Sequence, residues 1–289
     1  MIEYEFLKAE YLGNALKILD SYKNVKLLAG GTDILVDIHK KSKRLGEFNY
    51  ILDISNIKEL KYIEETNQTV EIGPLCTHTM LIESELISNL YPFLVTAAKT
   101  IGSPQIRNRG TVGGNISNAS PAADLVPPLI ALETQLELSS VEGKRFVPLE
   151  KYIIGPYKTS QNPDELITKI IIPKIDKEYF GVFLKIGRRR AVNIARLNLA
   201  ILAKVKQNII EDIRIVPGSA TPYPVRFTNL EQEITGKRID QIIIEKITPK
   251  ISEEMISITG ERWSTPYKKP ALEALFKRGM ESIFAVFNN

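Results

Sequence analysis

The stretch LLAGGTDILV, residues 27–36, is the first place where this 289-residue chain could bind a ligand. Gly30 and Gly31 follow a predicted strand over residues 25–29 and precede a predicted helix over residues 33–40. Glycine permits positive φ angles, and because it lacks a Cβ atom, backbone N–H groups can approach a ligand closely. Consecutive N–H groups in such a turn bind anions, and a helix N-terminus behind them adds donors. The loop therefore predicts an anion site, with Thr32 as the expected helix cap.

A second glycine pair, Gly113 and Gly114, lies in TVGGNISNASPAADLVPP, residues 111–128. The surrounding segment 101–124 has no helical or alternating period, and so long an irregular segment in a compact domain is usually functional. We expect Asp124 to cap the next helix, because Pro127 and Pro128 then fall in its first turn, where N–H groups have no intrahelical partner. Two such loops facing each other predict a diphosphate, as in a dinucleotide cofactor.

Both loops also allow a simpler interpretation, since a glycine pair between a strand and a helix is usually only a turn. The spacing is not GxGxxG, and no Gly-Lys-Ser/Thr sequence follows, so a P-loop nucleoside triphosphatase is not indicated. Asp33 would repel a phosphate. Its carboxylate must therefore point away, cap backbone amides or bond to cofactor hydroxyl groups.

Composition excludes several classes of protein. With 44% hydrophobic and 25% charged residues the chain can form a packed core, and a net charge of +4 gives nucleic-acid binding little support. One cysteine, Cys76, and two histidines, His39 and His78, without ligand-like spacing predict no metal or iron–sulfur site on this chain. The N-terminus lacks signal-peptide features, and no apolar run approaches the roughly 18 residues needed to cross a bilayer. These features predict a cytoplasmic protein that does not enter a membrane.

The order of elements predicts an α+β protein with two domains. Residues 1–172 mix helices and strands, whereas three strands joined by short turns after residue 175 read as an antiparallel meander with a turn at Gln207 and Asn208. We place the domains at 1–172, with subdomains of about 1–55 and 56–172, and at 173–289. The predicted strands include 2–6, 50–54, 69–75 and 134–138; the predicted helices include 9–22, 77–88, 90–100, 125–132 and a tail over 228–288 with breaks at Gly236, Pro249, Gly260 and Pro266.

The two loops, in the forms LAGGTDILV and TVGGNISNASPAADLVPPLIAL, closely resemble the FAD-binding medium subunit of the molybdenum hydroxylases. This is the family of carbon monoxide dehydrogenase, aldehyde oxidoreductase and xanthine dehydrogenase. The segments GPYKTSQNPDELITKIIIP and FLKIGRRRAVNIARLNLAILAKV look like later parts of the same family. The resemblance implies a PCMH-type FAD-binding domain of two subdomains, then a C-terminal domain with a three-stranded antiparallel sheet and helices.

The resemblance also implies which residues contact FAD, with the two loops holding its diphosphate. No catalytic residue and no metal ligand is expected on this chain. Carried over position by position, the implied FAD contacts are Ala29, Gly30, Gly31, Thr32, Asp33, Ile101, Thr111, Gly113, Gly114, Asn115, Asp124, Ile167 and Lys185.

Partner subunits follow from the same resemblance. A large subunit would carry a molybdopterin-type molybdenum cofactor and a small one two [2Fe–2S] clusters, assembled as a dimer of heterotrimers. Substrate would be oxidised at molybdenum, and electrons would pass through the clusters to FAD and on to an external acceptor. We expect an aldehyde as the substrate, with carbon monoxide, purines and aromatic acyl thioesters as alternatives.

Two other functions are compatible with the residues. A self-sufficient FAD-dependent oxidoreductase would need a substrate-activating acid or base, and we find no convincing one. A non-enzymatic module that has lost the cofactor is disfavoured by the intact glycine loops.

Several single residues have two interpretations. Lys185 could lie near the flavin and favour its anionic reduced state, or keep its ammonium group in water. Tyr157 could stack on the flavin or pack within its loop. The Arg188–Arg190 cluster could contact the iron–sulfur subunit or form a solvated turn. We expect no catalytic role for His78, and Cys76 should be a small buried apolar residue.

Overall fold

The computed structural model describes residues 4–189 and 193–287. They form two compact units, each assembled from three separate segments of the chain. The first unit contains the described residues of Met1–Ser84, Ser103–Ala119 and Glu133–Pro173. The second contains the described residues of Glu85–Gly102, Ser120–Leu132 and Lys174–Asn289.

The elements are numbered here in chain order. The strands are β1 (Glu5–Lys8), β2 (Val25–Leu28), β3 (Tyr50–Asp53), β4 (Ile63–Glu65), β5 (Thr69–Ile72), β6 (Gln135–Ser139), β7 (Lys144–Pro148), β8 (Ile153–Gly155), β9 (Lys158–Thr159), β10 (Leu166–Pro173), β11 (Tyr179–Gly187), β12 (Ala195–Lys206) and β13 (Ile209–Gly218). The α-helices are α1 (Leu12–Ser21), α2 (Ile34–His39), α3 (His78–Glu83), α4 (Glu85–Leu90), α5 (Pro92–Lys99), α6 (Pro104–Arg109), α7 (Val112–Ser117), α8 (Val126–Ala131), α9 (Leu149–Tyr152), α10 (Thr228–Ile234), α11 (Gln241–Thr259) and α12 (Thr265–Phe287).

The first unit holds two larger sheets. One is parallel with the order β1-β3-β2, and the other is antiparallel with the order β4-β5-β10-β6-β7. Parallel neighbours need a crossover connection, and α1 packs Ala15 and Leu19 into the core beneath the parallel sheet. The first glycine loop leaves the carboxyl end of β2, and at such ends of parallel strands α/β proteins commonly bind ligands.

The second unit is built on the predicted meander of β11, β12 and β13. Gln207 and Asn208 have φ angles of 50° and 62°, as a two-residue type I′ hairpin turn requires. One face of the sheet packs against α5, where Gly181 leaves room for the Phe93 ring. The other face packs against α12, where Gly279 leaves room for Ile201. Because helices cover both faces, β12 is a nearly continuous apolar run.

The α+β class and the three-stranded C-terminal sheet are therefore confirmed. The predicted first strand lies partly outside the described residues, since it included residues 2 and 3. The predicted helix over 77–88 is divided into α3 and α4. Pro249 does not break the tail, because α11 runs through it and buries Ile244, Ile247 and Ile251 on one face. Tertiary burial outweighs the local proline penalty there.

The prediction of an irregular segment over 101–124 is wrong, because it contains α6 and α7. Ser103 caps α6 and Thr111 caps α7, each by accepting a hydrogen bond from the backbone N–H three residues later. Helices of six residues are too short to produce a hydrophobic period, so their capping residues carried the only available signal.

Candidate cofactor site

The first glycine loop presents a run of backbone donors. Among the described residues, no protein acceptor pairs with the amides of Gly30, Gly31, Thr32 or Asp33. Gly31 has a φ angle of 78°, which turns the chain between β2 and α2. Four successive unpaired amides before a helix form the kind of concave donor set that binds anions.

Thr32 and Asp33 differ from the predicted arrangement. Asp33, and not Thr32, occupies the N-cap position of α2, and its side chain makes no capping bond. The prediction of a Thr32 cap is therefore wrong. Asp33 is an exposed residue, but the protein partly desolvates its carboxyl group and so raises the pKa of Asp33. The positive charge of Arg44 opposes this shift, and the negative charge of Asp37 adds to it.

Gly30 is required by packing against the second loop. A Cβ atom at this position would overlap the carbonyl oxygen of Arg109, and it would lie 3.1 Å from the Cα atom of Gly110. The two residues lead directly into Thr111 and α7. The absent side chain of Gly30 therefore allows the backbones of the two glycine loops to touch.

The second loop uses its own amides for protein contacts. Val112 N–H donates to the Cys76 carbonyl, and Gly113 N–H donates to the Pro74 carbonyl, each at 2.9 Å. Gly114 N–H donates to Thr111 Oγ1 at 3.1 Å. These amides do not form the unpaired nest that the sequence predicted. Gly113 is instead needed because a Cβ there would lie 2.5 Å from the Pro74 side chain.

Asn115 in the second loop carries a polar atom without a partner. Its Oδ1 atom is buried and accepts no hydrogen bond from the described residues. A buried amide oxygen without a donor costs about 1–3 kcal/mol. In this loop such an atom fits the chemistry of a ligand that brings a hydroxyl or N–H donor.

Arg44 links the helix after the first loop to Tyr157. A guanidinium nitrogen of Arg44 lies 2.7 Å and 2.6 Å from the two carboxylate oxygens of buried Asp37 on α2. The same guanidinium lies 4.3 Å from the ring centroid of Tyr157. Tyr157 thus contacts a side chain from a distant part of the chain, whereas the sequence analysis had offered packing within its own loop.

His78 and Cys76 lie beneath the loops. His78 begins α3, its side chain faces Gly110, and its Nδ1 atom has no described partner. Burial, reinforced by Arg107, lowers the pKa of His78 to about 4. Cys76 is fully buried, as expected, and burial raises its pKa to about 11. Neither group is ionised near neutral pH.

The second unit brings Asp124 and Lys185 together. Lys185 Nζ donates to Asp124 Oδ2 at 2.6 Å and to the carbonyls of Thr100 and Asn193, each at 3.1 Å. Only 7% of the Lys185 side chain is exposed, so the interpretation with its ammonium group in water is wrong. All three ammonium hydrogens have protein acceptors.

The predicted capping role of Asp124 is also wrong. The cap position of α8 is Leu125, and Asp124 Oδ1 instead accepts from Asn198 Nδ2 at 2.9 Å. Burial raises the pKa of Asp124, while Lys185 and Asn198 oppose the shift. Lys185 and Asn198 are directly paired across β11 and β12. Sequence reasoning missed Asn198, although a polar residue within the apolar β12 was a usable signal.

The remaining candidate residues are two apolar residues near the cores, one half-buried isoleucine and the arginine cluster. Ala29 packs beside the core of the parallel sheet, and Ile167 is buried in β10 with 3% exposure. Ile101 is half-buried just after α5. Arg188 and Arg189 lie in a bend, whereas Arg190 falls outside the described residues.

Comparison with known families identifies the chain. Residues 2–175 match the family described as the FAD binding domain in molybdopterin dehydrogenase. Residues 182–283 match the CO dehydrogenase flavoprotein C-terminal domain. The chain belongs to the flavoprotein subunits of the molybdopterin dehydrogenases. The flavoprotein is thus an oxidoreductase subunit, and the family proposed from its loops is confirmed.

Individual relatives align with the flavoprotein along nearly its whole length. The glyceraldehyde dehydrogenase medium chain of Sulfolobus acidocaldarius is 33% identical over 281 residues, covering 97% of this chain and 98% of the relative. The xanthine dehydrogenase FAD-binding subunit of Escherichia coli O157:H7 is 31% identical over 273 residues, covering 94% of this chain and 92% of the relative. A solved structure of carbon monoxide dehydrogenase from Hydrogenophaga pseudoflava superposes with a TM-score of 0.89 at 27% identity, covering 98% of both chains.

The residues of the flavoprotein fit an FAD diphosphate better than a metal. Four unpaired amides and the orphaned Asn115 oxygen lie in the two loops that touch at Gly30. Within residues 4–189 and 193–287, no group of three or more His, Cys, Asp or Glu side chains could hold a metal ion. Within the same ranges, no helix is long and apolar enough to cross a membrane.

Substitution of Gly30 by alanine tests the contact between the loops. Because the new methyl group would overlap the Arg109 carbonyl, we expect the free energy of unfolding to fall by about 1–3 kcal/mol and FAD content to fall with it. Thermal unfolding and flavin absorbance measure the two effects. Gly155→Ala is the control, since its Cβ would meet nothing closer than 3.7 Å. If both variants had the same free energy of unfolding and the same FAD content, the contact between the Gly30 and Arg109 backbones would be refuted.

The buried His78 predicts a loss of stability in acid. Its pKa is 6.5 in the unfolded chain and about 4 in the folded chain, so the unfolded state binds the proton first. Stability should therefore be complete above pH 6.5 and fall by about 3 kcal/mol as the pH drops from 6.5 to 4. Urea unfolding should show a shallower pH dependence in His78→Gln. An unchanged pH dependence in that variant would contradict the buried neutral histidine.

Proposed function

We propose that the chain is the electron-transfer flavoprotein of a heterotrimeric molybdenum hydroxylase and that its two glycine loops hold the FAD diphosphate. The observation that carries the loop assignment is the run of four unpaired amides from Gly30 to Asp33. Backbone donors at a loop-to-helix junction favour a diphosphate, because they supply several hydrogen bonds and partial positive charge.

The other loop contributes side chains in this proposal. Asn115 Oδ1 accepts a hydrogen bond from a donor group of FAD, which relieves its buried, unpaired state. Thr111 keeps its capping bond to Gly114 and so fixes the position of Asn115 on α7. Gly113 and Ala29 support the loop backbones through packing.

We propose supporting roles for Asp124, Lys185, Ile101 and Ile167. Asp124 keeps acceptor capacity beyond its bonds to Lys185 and Asn198, so it can also accept from a cofactor donor. We retain Lys185, Ile101 and Ile167 as FAD contacts. The domain limits of 1–172 and 173–289 remain our proposal, supported by the family matches that end at residue 175 and begin at residue 182.

Bound FAD supplies one- and two-electron redox chemistry, which lets a flavoprotein connect one-electron carriers to a two-electron acceptor. We propose that the electrons come from [2Fe–2S] clusters on a small subunit and originate at a molybdenum cofactor on a large subunit, in a dimer of heterotrimers. This chain's own task is to bind and orient the cofactor. Its single buried cysteine suits a reducing compartment, and we propose the cytoplasm.

An aldehyde is the proposed substrate of the complex. The support is the 33% identical relative, which is the medium chain of a glyceraldehyde dehydrogenase. Purification of the complex with mass identification of its other chains, followed by assays with aldehydes, purines and carbon monoxide, tests this assignment. Turnover with a purine or carbon monoxide, but with no aldehyde, would refute it.

Asn115→Leu tests the loop assignment. Leucine has the same number and branching of side-chain heavy atoms and removes the orphaned oxygen, so the variant should fold about as stably as the natural chain. We expect FAD to bind the assembled complex about tenfold more weakly, because one hydrogen bond to the cofactor is lost. Flavin titration of the stripped complex measures the dissociation constant.

Thr134→Val is the matched control for this experiment. Its hydroxyl is also buried without a described partner, but Thr134 lies outside both loops. The control should keep the natural affinity for FAD. Unchanged affinity in both variants would overturn the assignment of Asn115, and a natural complex without flavin would overturn the proposed function itself.

A further inference from the structure

Asp37 places a buried negative charge one helical turn behind the proposed diphosphate site. Asp37 lies on α2, four residues after Asp33, and only 8% of its surface is exposed. A buried carboxylate without a partner is unfavourable, and it would also oppose binding of an anion at the preceding amides. The first loop therefore needs a nearby compensating charge.

Arg44 supplies that charge from the 3₁₀ turn at Lys43–Leu45. One guanidinium nitrogen lies within 2.7 Å of both Asp37 oxygens. Hydrogen bonding to Asp37 raises the pKa of Arg44, so the guanidinium keeps its positive charge. The Arg44 side chain is 37% exposed, whereas the Asp37 side chain is only 11% exposed. Arg44 thus neutralises Asp37 while remaining close to solvent.

Tyr157 holds the guanidinium from the other side. The Arg44 Cζ atom lies 4.3 Å from the ring centroid, a distance at which cation–π attraction is effective. Tyr157 has a φ angle of 58°, and its N–H donates to the Ala119 carbonyl at 2.8 Å. Ala119 follows α7 of the second loop by two residues. The chain of contacts from Asp37 through Arg44 and Tyr157 to Ala119 therefore joins the far ends of the two loops.

We propose that Arg44 is a positioning residue for FAD: it cancels the charge of Asp37 behind the diphosphate amides and ties α2 to the Tyr157 turn. This inference rests on the proposed function. The near ends of the loops meet at Gly30 and Arg109, and the far ends meet through Arg44. Arg44 touches neither the amides nor, in this proposal, the cofactor.

A charge-rescue experiment tests the proposal in the assembled complex, with FAD as the probe. Arg44→Gln leaves Asp37 unpaired, and we expect the FAD dissociation constant to rise about tenfold. In Asp37→Asn/Arg44→Gln the unpaired carboxylate is gone, so the constant should return to within about threefold of the natural value. Tyr157→Leu removes the ring without changing charge and should raise the constant about threefold.

The control is Lys43→Gln, which removes an exposed neighbouring charge from the same turn and should leave FAD affinity unchanged. Equal weakening in the Arg44 single and double variants would overturn the charge-cancelling role, since a merely structural arginine is not rescued by removing Asp37. Natural affinity in Arg44→Gln would overturn the proposal entirely. Both results are distinct from failure of the proposed function, because they require that the natural complex binds FAD.

Discussion

The backbone of Gly30 meets the carbonyl oxygen of Arg109 so closely that no side chain fits between them. This contact brings the loop after β2 against the segment that enters α7, although about 80 residues separate them in sequence. The geometry of the proposed cofactor site depends on it. The glycine is needed because another part of the protein occupies the space beside it.

The two loops differ in how their backbone amides are paired. Among the described residues, the first loop leaves four amides without protein acceptors, whereas the second uses its amides to anchor itself to Pro74, Cys76 and Thr111. An anchored loop can hold the Asn115 oxygen at a defined place, and an unpaired run of donors can adapt to an anion. We therefore propose that the first loop provides affinity for charge and that the second provides a rigid frame for a single acceptor.

The sequence predicted the family, the α+β class and the C-terminal meander, because long apolar strands and the glycine-loop motifs are local signals. It did not predict the contacts made across large distances along the chain. The paired amides of Val112 and Gly113 could not be recognised without knowing that Pro74 and Cys76 face them. The hydrogen bonds that Asn198 and Lys185 donate to Asp124 likewise depend on the register between β11 and β12. The short helices α6 and α7 escaped prediction because six residues show no period, even though Ser103 and Thr111 are ordinary caps.

Hydrogen–deuterium exchange of the assembled complex, with FAD bound and with FAD removed, tests the central claim most directly. The amides of residues 30–33 have no acceptor within residues 4–189 and 193–287, so they should exchange rapidly without the cofactor and be strongly protected when its diphosphate accepts from them. The amides of Val112 and Gly113 should change much less, because the protein already pairs them. Rapid exchange of residues 30–33 in a complex that demonstrably retains its flavin would contradict the account.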